Sequence, residues 1–308
     1  MARRKRGRTV NGILLLDKPL GVSSNHALQK AKRLFDAAKA GHTGSLDPLA
    51  SGVLPLCFGE ATKFSQYLLD ADKAYTSTFV LGVTTETGDV EGAVLETKDA
   101  AHLTESSVEL ALQSFRGGVD QVPSMYSAIK HQGQPLYKLA RKGLEVERKS
   151  RRVLIKRLEL CAFRPGSKAE VDVYIECSKG TYVRSLAEDL GAALACGGHV
   201  SALRRTQAGP FAIDRCVTME ALEALQEKQD LAAMDALLLP ADAAIETMPL
   251  VQLTESAGFY LRQGQPVLVS NAPGSGMVRV ALEDGEFLGV GEILEDGRIA
   301  PRRLIVTN

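Results

Sequence analysis

Gly41-His42-Thr43-Gly44-Ser45-Leu46-Asp47-Pro48-Leu49-Ala50-Ser51-Gly52 sets one histidine, several hydroxyls and one carboxylate among glycines and small residues. Two readings of this stretch are open. Asp47-Pro48 can be a turn in which the aspartate caps the following element, because Asp side chains bond their own backbone and Pro presets the bend. It can equally present a carboxylate for general acid–base or nucleophilic work on a Gly-rich loop.

The flanks place this loop in a mixed structure. Upstream, residues 11–18 read as a strand closed by Lys18-Pro19. Ser23, Ser24 or Asn25 can then cap a helix with Leu28, Ala31, Leu34 and Phe35 on one face. Downstream, residues 53–58 read as a buried strand, 60–69 as a helix and 75–83 as a strand rich in β-branched and aromatic residues. A polar turn at 84–92 leads to a strand at 93–96. Thr104 opens a helix with Val108, Ala111, Leu112 and Phe115 at helical spacing, which Gly117-Gly118 is expected to end. Residues 152–163 and 170–178 form a hairpin, 183–194 a helix, 203–213 a strand and 219–239 a helix. Beyond Pro249 come short apolar runs at 267–269, 277–282 and 287–293, separated by Gly-containing turns, the pattern of a small all-β barrel.

Composition narrows the class. The 308 residues suggest about two domains. At 45% hydrophobic and 24% charged the chain can bury a sizeable core. No apolar run approaches the ~20 residues of a membrane span. The basic opening is followed only by the short apolar run Ile13-Leu14-Leu15-Leu16, unlike a secretory leader, so a cytoplasmic location is expected. Cys57, Cys161, Cys177, Cys196 and Cys216 are odd in number and form no C-x-x-C pair; reduced, mostly buried thiols are expected, with neither a disulfide framework nor a zinc site.

Formal net charge is zero, but its distribution is uneven. Arg3, Arg4, Lys5, Arg6 and Arg8 crowd the start. The segment 130–157 carries Lys130, Lys138, Arg141, Lys142, Arg148, Lys149, Arg151, Arg152, Lys156 and Arg157 against only Glu145 and Glu147. Such clusters are either solvated faces or a footprint for phosphate, which depends on local patches rather than on the sum. Residues 123–152, with Tyr126, Tyr137 and a short helix near 136–142, read as an inserted basic arm.

The loop 41–52 resembles the nucleophile motif of the TruB family of pseudouridine synthases. So, in order, do Leu15-Leu16-Asp17-Lys18-Pro19, Gly59-Glu60-Ala61-Thr62-Lys63, Val122-Pro123-Ser124-Met125-Tyr126-Ser127-Ala128, Ser178-Lys179-Gly180-Thr181-Tyr182-Val183-Arg184 and His199-Val200-Ser201-Ala202-Leu203-Arg204-Arg205. Ser45 and Ser51 stand where alanine or threonine is also expected. The resemblance implies an α+β fold: a pseudouridine synthase catalytic domain at 1–248 around a mixed, mainly antiparallel sheet, with the basic RNA-binding insertion at about 123–152, and a PUA-like RNA-binding domain at 249–308. It implies conversion of the T-loop uridine of tRNA to pseudouridine, with the tRNA T-arm as partner and no membrane partner.

By the same resemblance Asp47 is the catalytic aspartate, Arg184 its cationic partner and Tyr75, just after Asp72-Lys73-Ala74, the active-site tyrosine that stacks on the target uracil and could also take its carbon-5 proton. Tyr182 and Leu203 line the base pocket, His42 contacts the RNA where the target nucleotide has left its stack, and Lys63 contacts a phosphate. The reaction breaks a glycosidic bond and rejoins the base through carbon 5, so no oxidant, group donor, cofactor or metal is expected. Asp47 can attack sugar or base, or take a ribose proton; these routes stay open. Tyr182 and Arg184 share a face only in extended chain, which predicts that the helix begins at or just after Arg184. Two rival functions are a guide-RNA-dependent synthase like dyskerin and an RNA-binding or tRNA-folding module without catalysis.

Overall fold

The computed structural model describes residues 7–306; Arg3, Arg4, Lys5 and Arg6 of the basic opening lie outside the described residues. A ten-stranded sheet organises the larger part. Its strands run side by side in the order Val217–Thr218, Gly12–Lys18, Ala50–Phe58, Gly198–Ala208, Lys73–Leu81, Ala169–Cys177, Arg151–Arg164 and Gly117–Gln121. Ala40–His42 is added along Ala50–Phe58, and Phe211–Ala212 along Gly198–Ala208. Ala50–Phe58 with Gly198–Ala208, and Gly12–Lys18 with Val217–Thr218, are parallel; the other pairings are antiparallel. This is the mixed, mainly antiparallel sheet expected.

Side-chain alternation explains which faces are covered. In Ala169–Cys177 every second residue, from Ala169 through Val171, Val173 and Ile175 to Cys177, is buried, while the polar set between them is half-buried. The buried set packs on Val108 and Leu112 of the helix Glu105–Gln113 and on Leu186 and Leu190 of the helix Val183–Ala193. Gly12–Lys18 instead reads as a continuous apolar run because both its faces are covered. Leu14 and Leu16 pack with Phe35 and the helix Ser24–Leu34, whereas Ile13 and Leu15 pack with Leu68 and Phe211.

Several local expectations are corrected. The helix Glu105–Gln113 is C-capped by Ser114, and Gly117 opens the edge strand Gly117–Gln121. A Cβ at Gly118 would lie 2.6 Å from the Arg152 guanidinium, the far end of an exposed side chain that can move aside. The acidic segment 219–239 is two helices, Met219–Glu227 and Leu231–Asp235, because Gln229 turns to φ 55° and Asp230 caps the second. The helix Val183–Ala193 begins before Arg184, so Arg184 lies in its first turn. Among the thiols, Cys57, Cys177 and Cys196 are buried, Cys216 is half-buried and Cys161 is exposed.

The chain beyond residue 249 forms a five-stranded sheet from Leu250–Leu253, Val267–Leu268, Gly276–Leu282, Phe287–Ile293 and Arg298–Leu304. The all-β expectation misses one helix, Glu255–Arg262, capped by Thr254 and packed through Leu261. Its Gly258 weakens the helical pattern in sequence. In the fold it lets the helix approach the sheet, where a Cβ would lie 2.5 Å from Leu282. The two sheets join through Phe64, Ile245 and Val290, with the Phe64 and Phe287 rings 5.4 Å apart. No helix among the described residues is long and apolar enough to cross a membrane.

Candidate active site

Asp47 is held from both sides by its own loop. Leu46 and Leu49 are buried in the main core, so the chain between them must rise to the surface and return. Ser24 locks this arch: its hydroxyl accepts from the Leu46 N–H at 2.7 Å and donates to the Leu46 carbonyl at 3.0 Å. Ser23, not Ser24, caps the helix, and the two neighbouring serines therefore have separate tasks. The Gly21 N–H donates to the Pro48 carbonyl at 2.8 Å, and the Ala50 N–H returns to the Asp47 carbonyl at 3.0 Å. The turn reading of Asp47-Pro48 is thus part of the geometry, carried by backbone rather than by the carboxylate.

The carboxylate points into a cavity of about 310 Å³, at the lower end of small-molecule sites. Its lining includes Asp47, Tyr75, Tyr182, Arg184 and Leu203, residues up to 156 positions apart in sequence, together with Leu69, Lys73, Ser127, Ala128 and Arg205. His42 and Lys63 do not line it. His42 ends the strand Ala40–His42, with Nδ1 buried and unbonded. Burial, with a smaller contribution from Arg205, lowers its pKa. Lys63 pairs with Glu60 and donates to the Leu304 carbonyl at 2.8 Å, on the seam between the two sheets.

Arg184 is the hub. Its Nε lies 3.0 Å from Asp47 Oδ2 and its Nη1 3.4 Å from Asp89 Oδ2. Nη1 also donates to the Thr87 carbonyl at 2.9 Å and Nη2 to the Tyr126 carbonyl at 2.8 Å. The Arg184 side chain is 4% exposed and Asp89's is 5%, whereas 41% of Asp47's faces the cavity mouth. The guanidinium is thus anchored by a buried carboxylate and two carbonyls, and it presents one edge to the more open carboxylate. The walls of the cavity push the Asp47 carboxyl above its ordinary pKa; Arg184 opposes this, Asp89 adds to it and Lys18 opposes it.

Asp89, Lys18 and Arg205 carry no role in the sequence reading, although Lys18 and Arg205 lie within the motifs quoted above. Asp89 lies in what reads as a polar turn, yet it is buried and accepts from the Thr87 hydroxyl at 2.5 Å and the Glu91 N–H at 3.1 Å. Nothing in its neighbours signals burial. Lys18 is fully buried and donates to the carbonyls of Pro19 and Val22 at 2.8 and 2.7 Å; burial lowers its pKa to about 8. Arg205 is the register partner of Tyr75 on the neighbouring strand and donates to the carbonyls of Val53 at 2.7 Å and Gly44 at 3.1 Å. Tyr75 is half-buried against the main core, and burial raises its phenol pKa, as it does for Tyr182. Both rings are therefore neutral at pH 7.

Gly52 makes the approach of Arg205 possible. It adopts φ +104°, and a Cβ there would lie 2.1 Å from the Arg205 carbonyl oxygen. A Gly52→Ala variant should lose at least about 2 kcal/mol of stability, since backbone strain and overpacking each cost about 1–3 kcal/mol. A urea melt within about 0.5 kcal/mol of wild type would contradict this.

Comparison with known proteins agrees with this architecture. Residues 32–183 match the family model "TruB family pseudouridylate synthase (N terminal domain)". Residues 184–246 match "tRNA pseudouridylate synthase B C-terminal domain", and 249–305 match "Pseudouridine synthase II TruB, C-terminal". The chain is 60% identical over 298 residues to tRNA pseudouridine synthase B of Stutzerimonas stutzeri, covering 97% of this chain and 96% of that one. It is 54% identical over 310 residues to tRNA pseudouridine synthase B of Saccharophagus degradans, covering 99% of each. A solved H/ACA ribonucleoprotein bound to a substrate RNA containing 2′-deoxyuridine shares the fold, with TM-score 0.72 and 23% identity over 100% of this chain and 92% of that one. The chain belongs to the TruB family of pseudouridylate synthases.

Proposed function

We propose that this chain is a tRNA pseudouridine synthase that isomerises the T-loop uridine, using Asp47 as the essential carboxylate. The observation that carries the reading is the Asp47–Arg184 ion pair of 3.0 Å at the wall of a cavity also lined by Tyr75, Tyr182 and Leu203. A carboxylate acting on a glycosidic bond must stay ionised in a partly dry site, and a fixed cation beside it favours that form. Arg184 supplies the cation and Asp89 fixes Arg184. The neutral Tyr75 ring stacks on the uracil, because a phenol raised above its ordinary pKa is a poor base. Tyr182 and Leu203 bound the base. A nucleotide inside a folded T-loop must leave its stack for the carboxylate to reach it, and a planar neutral imidazole at His42 suits the vacated position. Lys63 takes a phosphate at the seam of the sheets.

Incubation of the purified chain with bare tRNA, followed by chemical mapping of pseudouridine, tests this directly. Modification of a T-loop uridine without any guide RNA supports the reading. Modification only with a guide, or binding without modification, replaces it by one of the two rival functions.

The basic arm at 123–152 and the five-stranded sheet that runs from Leu250 to Leu304 are assigned to tRNA binding. The arm contains a short hairpin, Lys130–His131 with Gln134–Pro135, and the helix Leu136–Ala140. Lys138, Arg141 and Lys142 are exposed there. Removing the whole arm would also remove Tyr126, which holds Arg184, so a charge-only variant is the cleaner probe. Replacing Lys138, Arg141 and Lys142 by glutamine should weaken tRNA binding. The log–log salt slope should flatten by about 0.7–0.9 for each lost phosphate contact. An unchanged slope would make these cations a solvated face.

A further inference from the structure

Gln121 ends the edge strand Gly117–Gln121, immediately before the basic arm, and is 1% exposed. Its side-chain amide meets the backbone of one residue twice. Oε1 accepts from the Tyr182 N–H at 3.0 Å, and Nε2 donates to the Tyr182 carbonyl at 3.2 Å. The orientation of the amide is settled by its partner, since a backbone residue offers one donor and one acceptor. Tyr182 is where the chain passes from extended (φ −104°, ψ 109°) into the helix Val183–Ala193, which has no side-chain N-cap of its own. The Tyr182 ring and the Arg184 guanidinium both reach the cavity from this turn. A shift here therefore moves two groups of the site together.

We propose that Gln121 is a positioning residue for pseudouridine formation: its amide clamps the Tyr182 backbone and so fixes the Tyr182 ring and the Arg184 guanidinium against Asp47. The inference rests on the reading of Asp47 and Arg184 as catalytic groups. The same stretch of chain makes further ties to the helix start: the Ser185 hydroxyl donates to the Val122 carbonyl at 3.4 Å and Arg184 to the Tyr126 carbonyl at 2.8 Å. The root of the arm is thus fastened to the turn that carries the site.

Gln121→Glu separates this role from general stability. A protonated carboxyl is a near copy of the amide: its carbonyl oxygen accepts from the Tyr182 N–H and its O–H donates to the Tyr182 carbonyl. Ionised, it has no donor and faces the carbonyl oxygen. Burial favours the neutral form. The charged and titratable groups around it are Arg151 across the strand pair, Asp120 with Arg152 beside it, the Tyr182 phenol, and Arg184 with Asp47 and Asp89 beyond.

The experiment uses the full chain and bare tRNA, measuring single-turnover pseudouridine formation and equilibrium tRNA binding from about pH 5.5 to 8.5, each rate divided by that of wild type at the same pH. Gln121→Glu should be slower on the order of 10²-fold at the alkaline end and recover toward wild type at the acid end, reversibly in one preparation, with tRNA affinity unchanged. Gln121→Ala should be slow at every pH. A wild-type rate for Gln121→Glu at the alkaline end, or a deficit that ignores pH, overturns the proposal. Asp47→Asn is run alongside. If it is inactive while both Gln121 variants are normal, only the positioning role fails; if it is active, the reading of the site fails and this inference with it.

Discussion

Asp47→Asn should abolish pseudouridine formation, by about 10⁴-fold or more, the scale of loss when an essential catalytic group is removed. The amide nearly preserves volume but can act neither as nucleophile nor as base. The fold should survive, for two reasons. The loop is held by Ser24, Gly21 and the Ala50 N–H through backbone atoms rather than through the carboxylate. Arg184 also keeps Asp89 and the carbonyls of Thr87 and Tyr126 when its contact with Asp47 is weakened. Binding of tRNA should change little, because phosphate contacts on exposed cations dominate such affinities. Single-turnover assays and equilibrium binding on the same preparation measure both quantities. Normal turnover would end the catalytic assignment.

The second large effect is expected at Arg184. Arg184→Lys keeps the charge but loses the planar fork that reaches Asp47 with Nε, Asp89 and Thr87 with Nη1 and Tyr126 with Nη2. One ammonium cannot span those partners. Turnover should fall on the order of 10²-fold or more, as a misplaced reacting group does. Arg184→Met should in addition destabilise the protein by about 3–5 kcal/mol, since it strands the buried Asp89 carboxylate without its cation. Thermal melts beside single-turnover rates separate the two variants. A lysine variant with wild-type turnover would mean that charge alone suffices and that the fork geometry is incidental.

The pH dependence carries a sign that follows from the site. Burial raises the Asp47 pKa above that of an ordinary carboxyl, with Arg184 opposing it. The ionised form is the one proposed to act. The single-turnover rate should therefore be full above that raised pKa and decline as pH falls through it. A rate constant across the acid limb would contradict an ionised Asp47 requirement.

Much of the local architecture was legible in the order of residue types. The alternation in Ala169–Cys177, the unbroken apolar run in Gly12–Lys18 and the Gly-rich loop around Asp47 are signals that act within a few neighbours, and each forms the element its pattern requires. The ordered motifs from Leu15 to Arg205 contain Asp47, Tyr182, Arg184 and Leu203, and the family resemblance adds Tyr75 outside them; the fold brings all five to one cavity. Composition and periodicity carried no such information for Asp89. It sits in a stretch that reads as a solvated polar turn, and in the fold its buried carboxylate faces a guanidinium 95 positions away. The same holds for Lys63, whose partner carbonyl is 241 positions away, and for Gln121, which meets Tyr182 across 61. Local pattern determines which segments become strands, helices and loops, because those preferences depend on neighbours within about four residues. Which polar groups are buried, and against what, was decided by tertiary packing alone, because a buried charge or amide is tolerable only where distant chain supplies its partners.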